Sequence, residues 1–409
     1  MEKNEKHDII VWGATGFTGR LVAEYLCSER CTDRVRWAMA GRSRQRLESL
    51  RRELAQRHPA AGDVDLVVAD SEDRASLDAM VARSRVVLST VGPYARYGSP
   101  LVAACVEAGV SYCDLTGEVH WMRRMIDLHY GAAQETGARI VHACGFDSIP
   151  SDLGCLMVQE HALATAGRPC QSVTFYLRSA KGGFSGGTVA TMLSTFEVAS
   201  ADRDVARLLR DPYALNPDGR PGPDGPDQQG VGYDRDLGCW TSPFIMASVN
   251  TRVVRRSNAL LDQRYGADFR YREVTAHPGL TGLPRAVAST AGVLGMMTSI
   301  ALPPTRALMR RFVLPSPGEG PSRRERDAGH FSATLLGLLP DGNRIRARVA
   351  GQGDPGYKAT SIMAAQAALR LALDPDLPPG GVLTPACLGM PLVDRLRRAG
   401  MTFAIDRPD

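Results

Sequence analysis

Asp8-Ile9-Ile10-Val11-Trp12-Gly13-Ala14-Thr15-Gly16-Phe17-Thr18-Gly19 is the stretch that decides the fold of this 409-residue chain. An apolar run typical of a strand ends in three glycines spaced three apart, and apolar residues then continue at helical spacing. A helix that begins directly after a strand points its free N–H groups and the positive end of its dipole at the turn. Gly13 permits the tight turn, Gly16 lets the backbone approach phosphates, and Gly19 lets the helix pack against the sheet. The stretch therefore predicts a dinucleotide site.

Strand and helix patterns alternate through residues 8–143 with short connections. Amphipathic helices fill the gaps between strands, for example Arg44–Arg57, whose leucines share one face. Right-handed crossovers then give an α/β fold with a doubly wound parallel Rossmann sheet, whose ligands lie beyond the carboxyl ends of the strands. The six predicted strands are Asp8–Trp12, Arg36–Ala40, Asp65–Ala69, Arg85–Thr90, Ser111–Asp114 and Arg139–Ala143.

The residues at these carboxyl ends are the candidates for holding the dinucleotide. Arg42, Ser43 and Arg44 follow the second strand, where an acidic residue would hold the free ribose 2′-hydroxyl of NAD. A guanidinium and a hydroxyl suit a 2′-phosphate, which favours NADP(H), although both arginines could also solvate a helix start. Asp70 after the third strand either meets the adenine amino group or caps the next helix. The predicted cofactor site is Gly13, Thr15, Gly16, Phe17, Thr18, Gly19, Arg42, Ser43, Arg44, Asp70, Thr90 and Gly92.

Composition and charge argue against several other classes of protein. The formal net charge of +5 implies no general nucleic-acid surface. Nine cysteines without a CxxC pair or a histidine cluster argue against a disulfide framework and against a metal site. Residues 1–7 are charged and run directly into the first strand, which leaves no room for a signal peptide, so we expect a cytoplasmic protein.

The alternation of strands and helices stops after residue 150. Strands at Ser172–Ala180 and Phe269–Ala276, and a hairpin of Phe331–Leu339 with Arg344–Val349, indicate a separate mixed α+β substrate domain.

The end of the chain is predicted to be ordered and to return to the first domain. The helix Leu392–Arg398 and the strand Thr402–Ile405 are expected to carry this return. We therefore predict an NADP-binding Rossmann domain at 1–150, a substrate domain at 151–350 and a C-terminal return segment at 351–409.

Residues Ala286–Leu302 are uncharged and mostly apolar. A membrane-spanning helix needs roughly twenty apolar residues, and this segment is shorter and is interrupted by glycine, serine and threonine. Three interpretations stay open: a buried core helix, an apolar wall for a lipid chain, or a flap that touches a membrane. Arginines after the segment form either a solvated face or a surface for an acidic carrier protein or anionic lipid headgroups. They are Arg306, Arg310, Arg311, Arg323, Arg324, Arg326, Arg344, Arg346 and Arg348.

Seven runs spread over nearly the whole chain resemble the saccharopine-dehydrogenase-like oxidoreductases, in particular their branch of bacterial trans-acting enoyl reductases. The runs are Gly13–Gly19, Gly92-Pro93-Tyr94 with Tyr97-Gly98, Asp114–Glu118, Gly145–Gly154, Ser185–Thr188, Gly356–Thr360 and Gly380–Pro385. The resemblance implies NADPH on the first run and Arg42, a central substrate domain and a C-terminal return. Enoyl reductases of this branch act in trans on polyketide or fatty acyl chains whose synthase lacks its own reductase. The resemblance carries over no catalytic residues.

The leading hypothesis is NADPH-dependent reduction of a carbon–carbon double bond conjugated to an acyl thioester. This chemistry needs hydrogen-bond donors for an enolate and then a proton for its α carbon. Candidate donors near the cleft are Tyr94, Tyr97, His142 and Ser148. Each also has an ordinary structural interpretation: packing in a turn for the tyrosines, a core histidine for His142 and a helix cap for Ser148.

Two other functions stay open. A saccharopine-type amino-acid or imine reductase needs arginines and histidines to hold substrate carboxylates, and the apolar segment 286–302 fits it poorly. A non-catalytic NADPH-binding protein at lipid surfaces would use that segment as an anchor. The predicted partner is an acyl or polyketide substrate, free or on an acyl carrier protein, and no nucleic acid. Homodimer formation and peripheral contact with a membrane or lipid are left open.

Overall fold

The computed structural model of the chain describes residues 6–28, 31, 33–182, 186–302, 305 and 320–406. The described strands are β1 His7–Trp12, β2 Trp37–Gly41, β3 Asp65–Val68, β4 Ser84–Ser89, β5 Ser111–Asp114, β6 Arg139–Val141, β7 Ser172–Lys181, β8 Gly232–Asp234, β9 Cys239–Pro243, β10 Arg270–His277, β11 His330–Leu338, β12 Arg344–Gln352, β13 Gly381–Leu383 and β14 Thr402–Ile405. The described α-helices are α1 Phe17–Cys27, α2 Arg44–Ala55, α3 Arg74–Ala82, α4 Tyr94–Tyr97, α5 Ser99–Glu107, α6 Val119–Thr136, α7 Ile149–Ala166, α8 Gly186–Ala201, α9 Arg203–Arg210, α10 Ala247–Leu260, α11 Gly282–Ala301, α12 Arg323–Ala328, α13 Thr360–Leu373 and α14 Gly389–Arg398.

The predicted parallel Rossmann sheet is confirmed. Within the described residues it has seven strands in the order β13-β6-β5-β4-β1-β2-β3, and every neighbouring pair is parallel. The six predicted strands all belong to it, and their observed ends differ from the predicted ones by at most a few residues. The last of them stops at Val141 instead of Ala143, because Ala143 adopts a left-handed backbone conformation with φ of 61°.

The C-terminal segment returns to this first sheet. Helix α13 packs against α1, β4 and β5 and is buried along nearly its whole length. Its Gln366 side chain donates a 2.6 Å hydrogen bond from Nε2 to the Tyr25 hydroxyl of α1. Strand β13 then pairs with β6 at the edge of the sheet. The first sheet is therefore built from both ends of the chain.

The expectation that Thr402–Ile405 also returns to the first domain is wrong. This strand pairs antiparallel with β12 of the second sheet, with Ile405 opposite Ala347. The physical reason is a turn after α14: Gly400, with φ of 91°, directs the chain back towards the free edge of β12. Helix α14 itself packs against α13 and α7. The domain boundaries at residues 150 and 350 stay a prediction.

The second sheet is mixed, as predicted. Its described strands run in the order β14-β12-β11-β7-β10-β9-β8, and β7 and β10 form its parallel pair. The predicted hairpin is confirmed, with Leu338 opposite Arg344 across a turn that contains the left-handed Gly342 (φ 89°).

The outer face of β12 carries alternating arginines, as its sequence predicts. Arg344 donates a 2.6 Å hydrogen bond to Asp236, and Arg348 lies 3.9 Å from Asp406. These pairs favour the interpretation of a solvated face. Arg306, Arg310 and Arg311, and Ser185 of the glycine-rich turn, lie outside the described residues.

One buried carboxylate joins three separate parts of the chain. Asp152 of α7 accepts a 2.6 Å hydrogen bond from the Ser257 hydroxyl of α10 and a 2.7 Å bond from the Ala386 N–H after β13. Its side chain is fully buried, and burial raises the pKa of this carboxyl to about 7. The folded protein therefore holds a proton here that the unfolded chain has already lost at pH 5 to 6.

Replacing Asp152 by Asn should flatten the dependence of stability on pH. The pKa of Asp152 is raised on folding, so the free energy of unfolding falls as pH rises from about 4 to about 7 and the loss is complete above that range. We expect Asp152→Asn to remove about 2–3 kcal/mol of this fall between pH 5 and pH 7.5, measured by urea denaturation.

The amide of Asp152→Asn can still accept from Ala386 N–H and donate to Ser257, whose hydroxyl also lies 3.0 Å from the Val253 carbonyl. Asp152→Ala is the matched control, because it removes both hydrogen bonds, leaves the buried Ala386 N–H unsatisfied and should be less stable at every pH. Parallel stability curves for wild type and Asp152→Asn would contradict a proton on Asp152.

Candidate active site

The turn between β1 and α1 has the geometry of an anion site. Gly13 has a φ of 85°, and a Cβ there would lie 2.6 Å from Val91 Cγ2, so no other residue fits the turn. A Cβ on Gly19 would collide with the Gly13 carbonyl oxygen, which is why α1 can pack this closely. Gly16 is exposed, and a Cβ there would meet only the Gly13 oxygen, at 3.3 Å. The open space in front of Gly16 and the N-terminus of α1 fits a pyrophosphate.

The three polar residues after β2 have different surroundings. The Ser43 hydroxyl accepts a 3.3 Å hydrogen bond from Arg46 N–H and caps α2. Arg44 donates a 3.0 Å hydrogen bond from Nε to Glu48. Arg42 is exposed and has no hydrogen-bond or ion-pair partner among the described residues. Arg42 is therefore the cation that is free to meet a 2′-phosphate.

Three other predicted cofactor residues shape the turns around this site. The Thr90 hydroxyl donates to the Trp12 carbonyl at 3.1 Å and also lies 3.2 Å from the Gly13 carbonyl, so it joins β4 to the glycine turn. Thr15 lies beside Gly41, at the end of β2. Phe17 packs edge-on against Tyr357 with 4.5 Å between ring centroids, which joins α1 to the C-terminal segment.

Asp70 does not cap α3. Its Oδ1 accepts a 3.0 Å hydrogen bond from Glu72 N–H, and Asp73 is the residue that caps the helix, by accepting from Ala75 and Ser76. A role for Asp70 towards adenine stays a prediction.

A cavity of about 690 Å³ begins beside the glycine turn, at Thr18, and continues to helices α8, α9 and α11. Its polar end includes Thr18, Thr90, Gly92, Tyr94, Asp147 and Thr360. Its other end is apolar, with walls from α8, α9, α11 and the start of α10, and we call this end the apolar arm. The apolar arm includes Met192, Phe196, Leu209, Ile245, Met297 and Ile300. A largely apolar cavity with a few polar groups at one end is typical of a small-molecule site.

Tyr94 is the predicted donor that the structure brings to this cavity. Its hydroxyl donates to the Ser89 carbonyl at 3.1 Å and accepts from Leu115 N–H at 3.2 Å, while burial raises its pKa well above the ordinary value. Both interactions are with the backbone, so the hydroxyl also has a structural role. Tyr97 is partly buried, and the guanidinium carbon of Arg96 lies over its ring, 5.0 Å from the ring centroid. Tyr97 does not line the cavity.

His142 and Ser148 lie outside the cavity lining. His142 is buried, with Nδ1 2.8 Å from Asp114 Oδ2, and faces a separate small void near Arg256. The Ser148 hydroxyl is buried and donates a 3.0 Å hydrogen bond to Asn250 Oδ1. His142 is thus a core histidine, as its structural interpretation predicts. Ser148 occupies the N-cap position of α7, but its hydroxyl makes no capping hydrogen bond. A catalytic role for either residue stays a prediction.

Several residues that line the cavity were not predicted as site residues. Asp147 lies one position before Ser148, and an aspartate directly before a helix is as typical of a helix cap as of a site residue. Thr191 and Thr195 come from α8, where no sequence motif marks them. Gly356 and Thr360 belong to a run that carries the family resemblance, and the structure places them opposite the β6–α7 turn.

A buried carboxylate supports the cavity wall from behind. Glu118 accepts 2.8 Å hydrogen bonds from the N–H groups of both Tyr94 and Ala95, at the start of α4. A third bond comes from the Thr191 hydroxyl at 3.4 Å. Burial raises the pKa of Glu118, whereas its hydrogen bonds oppose that shift. Glu118 therefore positions α4 and α8 on opposite sides of the cavity.

Helix α11, which contains most of segment 286–302, is partly a core helix and partly a wall of the cavity, and its contact with a lipid chain stays a prediction. Ala286 and Thr290 are buried, on a helix that packs against β9 and β10. Met297 and Ile300, near its C-terminal end, line the apolar arm. Leu294 is 51% exposed, so it belongs to neither the core nor the cavity wall. Among the described helices, none has both the length and the hydrophobicity that a membrane span requires.

A parallel sheet of this order, with a first turn shaped for a pyrophosphate, defines the class of dinucleotide-binding proteins. Residues 9–141 match the family model described as the saccharopine dehydrogenase NADP binding domain, so the cofactor is NADP(H). The chain is 46% identical to a Mycobacterium tuberculosis protein provisionally named a trans-acting enoyl reductase, over 98% of this chain and 97% of that protein. It is 42% identical to a trans-acting enoyl reductase of Mycobacterium bovis, over 98% of both.

The chain thus belongs to the saccharopine-dehydrogenase-like oxidoreductases, in the branch of the trans-acting enoyl reductases, as its sequence motifs predict. Among solved structures, it is similar to apo saccharopine dehydrogenase from Saccharomyces cerevisiae, with a TM-score of 0.52 and 12% identity. That likeness covers 97% of this chain and 99% of the yeast enzyme and concerns the fold alone.

Replacing Arg42 by Gln should weaken NADPH binding about tenfold to a hundredfold and leave NADH binding nearly unchanged, because a charge-assisted contact to the 2′-phosphate is lost. Fluorescence titration of the reduced cofactors measures both affinities. Arg44→Gln is the matched control, since Arg44 is already paired with Glu48 and should matter much less. Equal weakening of NADPH and NADH by Arg42→Gln would place the 2′-phosphate elsewhere.

Proposed function

We propose that this chain uses NADPH to reduce the carbon–carbon double bond of an acyl thioester whose acyl chain lies in the apolar arm. The observation that carries the proposal is the continuity of the cavity, which runs from the glycine turn to the apolar arm without a break. The names of the relatives support the same reaction class. A substrate with a reactive polar head and a long apolar tail matches both ends of this cavity.

When bound, NADPH supplies a hydride for the β carbon of the enoyl group. The chain must then hold the thioester carbonyl, where negative charge develops. Thr195 is the candidate for this role, because the residue lines the cavity and its hydroxyl has no hydrogen-bond partner among the described residues. Thr191, one helical turn earlier, is instead bonded to Glu118. We therefore assign the carbonyl contact to Thr195.

The two alternative functions have weaker support. A saccharopine-type reductase needs cations for its substrate carboxylates, whereas Arg210 is the one Arg, Lys or His among the described residues that line the cavity. A non-catalytic NADPH-binding protein would not need a cavity that joins the cofactor end to an apolar channel. The relatives are also named as enzymes.

The acyl chain is proposed to arrive on an acyl carrier protein of a polyketide or fatty acid synthase. The names of the relatives support this proposal, because they describe enoyl reductases that act in trans. Dimer formation and contact with a lipid surface stay predictions. Leu283, Val287 and Leu294 form the exposed apolar positions of α11 on which lipid contact would depend.

The direct test is single-turnover oxidation of enzyme-bound NADPH by trans-2-enoyl thioesters of increasing chain length. We expect oxidation by enoyl thioesters and none by saturated thioesters or by α-keto acids with an amine. Product analysis by mass spectrometry should show a gain of two hydrogens. Oxidation by keto acid and amine but not by enoyl thioesters would instead support the saccharopine-type reaction.

The role of the apolar arm as the acyl site can be tested with two substitutions on helix α11. Met297→Arg should raise KM for long enoyl thioesters while short ones are spared, because each buried methylene contributes about 0.8 kcal/mol. Leu294→Arg is the matched control, since Leu294 lies one turn earlier and is exposed, so its KM values should not change. Thermal melting of both variants checks folding. Equal KM changes at every chain length in a folded Met297→Arg protein would exclude the apolar arm as the acyl site.

A further inference from the structure

The turn between β6 and α7 is held rigidly on both sides of Asp147. Before it, Phe146 N–H donates a 3.0 Å hydrogen bond to the Thr360 hydroxyl, and the Phe146 ring packs edge-on against Phe331 with centroids 4.8 Å apart. After it, the Ser148 hydroxyl is bonded to Asn250. The side chains of both neighbours are therefore held by other parts of the protein, and Asp147 is the acidic residue of this turn that lines the cavity.

The Asp147 carboxyl is isolated from other charges. It has no hydrogen-bond or ion-pair partner among the described residues, and the other ionisable groups of the described cavity lining are Tyr94 and Arg210. Burial alone raises the pKa of Asp147 to about 6. A carboxyl that keeps its proton to near-neutral pH can act as an acid, and an unpaired one is free to turn towards a ligand.

We propose that Asp147 is the general acid that protonates the α carbon of the reduced acyl thioester. The inference rests on the proposed function and names the proton donor for it. As a C–H bond forms at the β carbon, the electron pair of the double bond moves to the α carbon and the thioester oxygen. The Asp147 O–H bond then breaks, its proton forms the new α C–H bond, and the carboxylate is left to take up a proton from water.

The other groups of the polar end suit this step less well. The Tyr94 hydroxyl donates its proton to the Ser89 carbonyl and accepts from Leu115 N–H, so its hydrogen-bonding capacity is already committed to the backbone. The hydroxyl of Thr360 likewise donates to the Pro355 carbonyl, at 2.8 Å. Asp147 is thus the acidic group of the described cavity lining whose proton is not already used in a hydrogen bond.

The test compares wild type with Asp147→Asn, which keeps the shape of the side chain but has no acidic proton. We expect NADPH affinity within about twofold of wild type and a roughly 100-fold or larger loss of kcat with an enoyl thioester. In D2O, wild type should place deuterium at one of the two α positions of the product. Each product molecule that Asp147→Asn still forms should also carry one α deuterium, but distributed between the two positions, because the proton then comes from solvent without control of the face. Asp147→Glu should recover part of the rate and of the stereoselectivity.

The pH profile of kcat/KM adds a second readout. Only the protonated acid donates, so the wild-type rate should fall as pH rises above about 6, and this fall should be absent in Asp147→Asn. Asp152 and Glu273 also ionise near neutral pH, because burial raises the pKa of each to about 7. Asp152→Asn is therefore the matched control, and its profile should keep the wild-type fall.

The outcomes separate this inference from the proposed function. Absence of enoyl-dependent NADPH oxidation in wild type would overturn the proposed function. Wild-type oxidation together with an unchanged rate, pH profile and deuterium pattern in folded, NADPH-binding Asp147→Asn would overturn the role of Asp147 alone. If kcat/KM of Asp152→Asn no longer fell with rising pH, the role of Asp147 would also be overturned, because the ionisation would then belong to Asp152.

Discussion

The hydroxyl of Thr360 makes the contact on which the site depends. It accepts a hydrogen bond from Phe146 N–H, 214 residues earlier in the chain, and donates one to the Pro355 carbonyl. This contact fixes the turn after β6 against the turn that precedes α13. Behind it, α13 fills the space over α1 and the central strands of the first sheet. The polar end of the cavity therefore exists only because the C-terminal segment is seated on the N-terminal sheet.

Local pattern was enough to predict the six N-terminal strands of the first sheet. The glycine spacing at residues 13–19 follows from the steric requirements of one turn. Each apolar run likewise follows from the burial of one strand, so both signals lie within a short stretch of sequence. Pairing between distant segments has no such local signal. Gly381–Leu383 is three residues long and joins the first sheet, whereas Thr402–Ile405 looks no different in sequence and joins the second. The choice is made by Gly400 and by which sheet edge lies within reach.

The site was predictable to a similar depth. Glycines are needed by geometry, so their positions could be assigned, and Arg42 could be named from its place after β2. The direction in which each side chain points could not be predicted. Asp147 and Ser148 are adjacent and equally suited to a helix start, yet one lines the cavity and the other contacts Asn250. His142 is buried beside Asp114, a partner that lies on a neighbouring strand. Sequence shows which turn faces the cleft but not which residue of the turn does.

The seating of α13 on the first sheet has a consequence for the order in which a newly made chain can mature. A ribosome releases residues 1–150 first, but Ile9, Val11 and Leu88 share a hydrophobic core with Met363 and other residues of α13. Until that helix emerges, the nascent N-terminal half presents an uncovered apolar surface and lacks one edge strand. A chain truncated before residue 360 would have the glycine turn but would lack the Thr360 hydroxyl that holds the turn after β6. Translation must therefore run almost to its end before this chain can acquire a finished catalytic cavity.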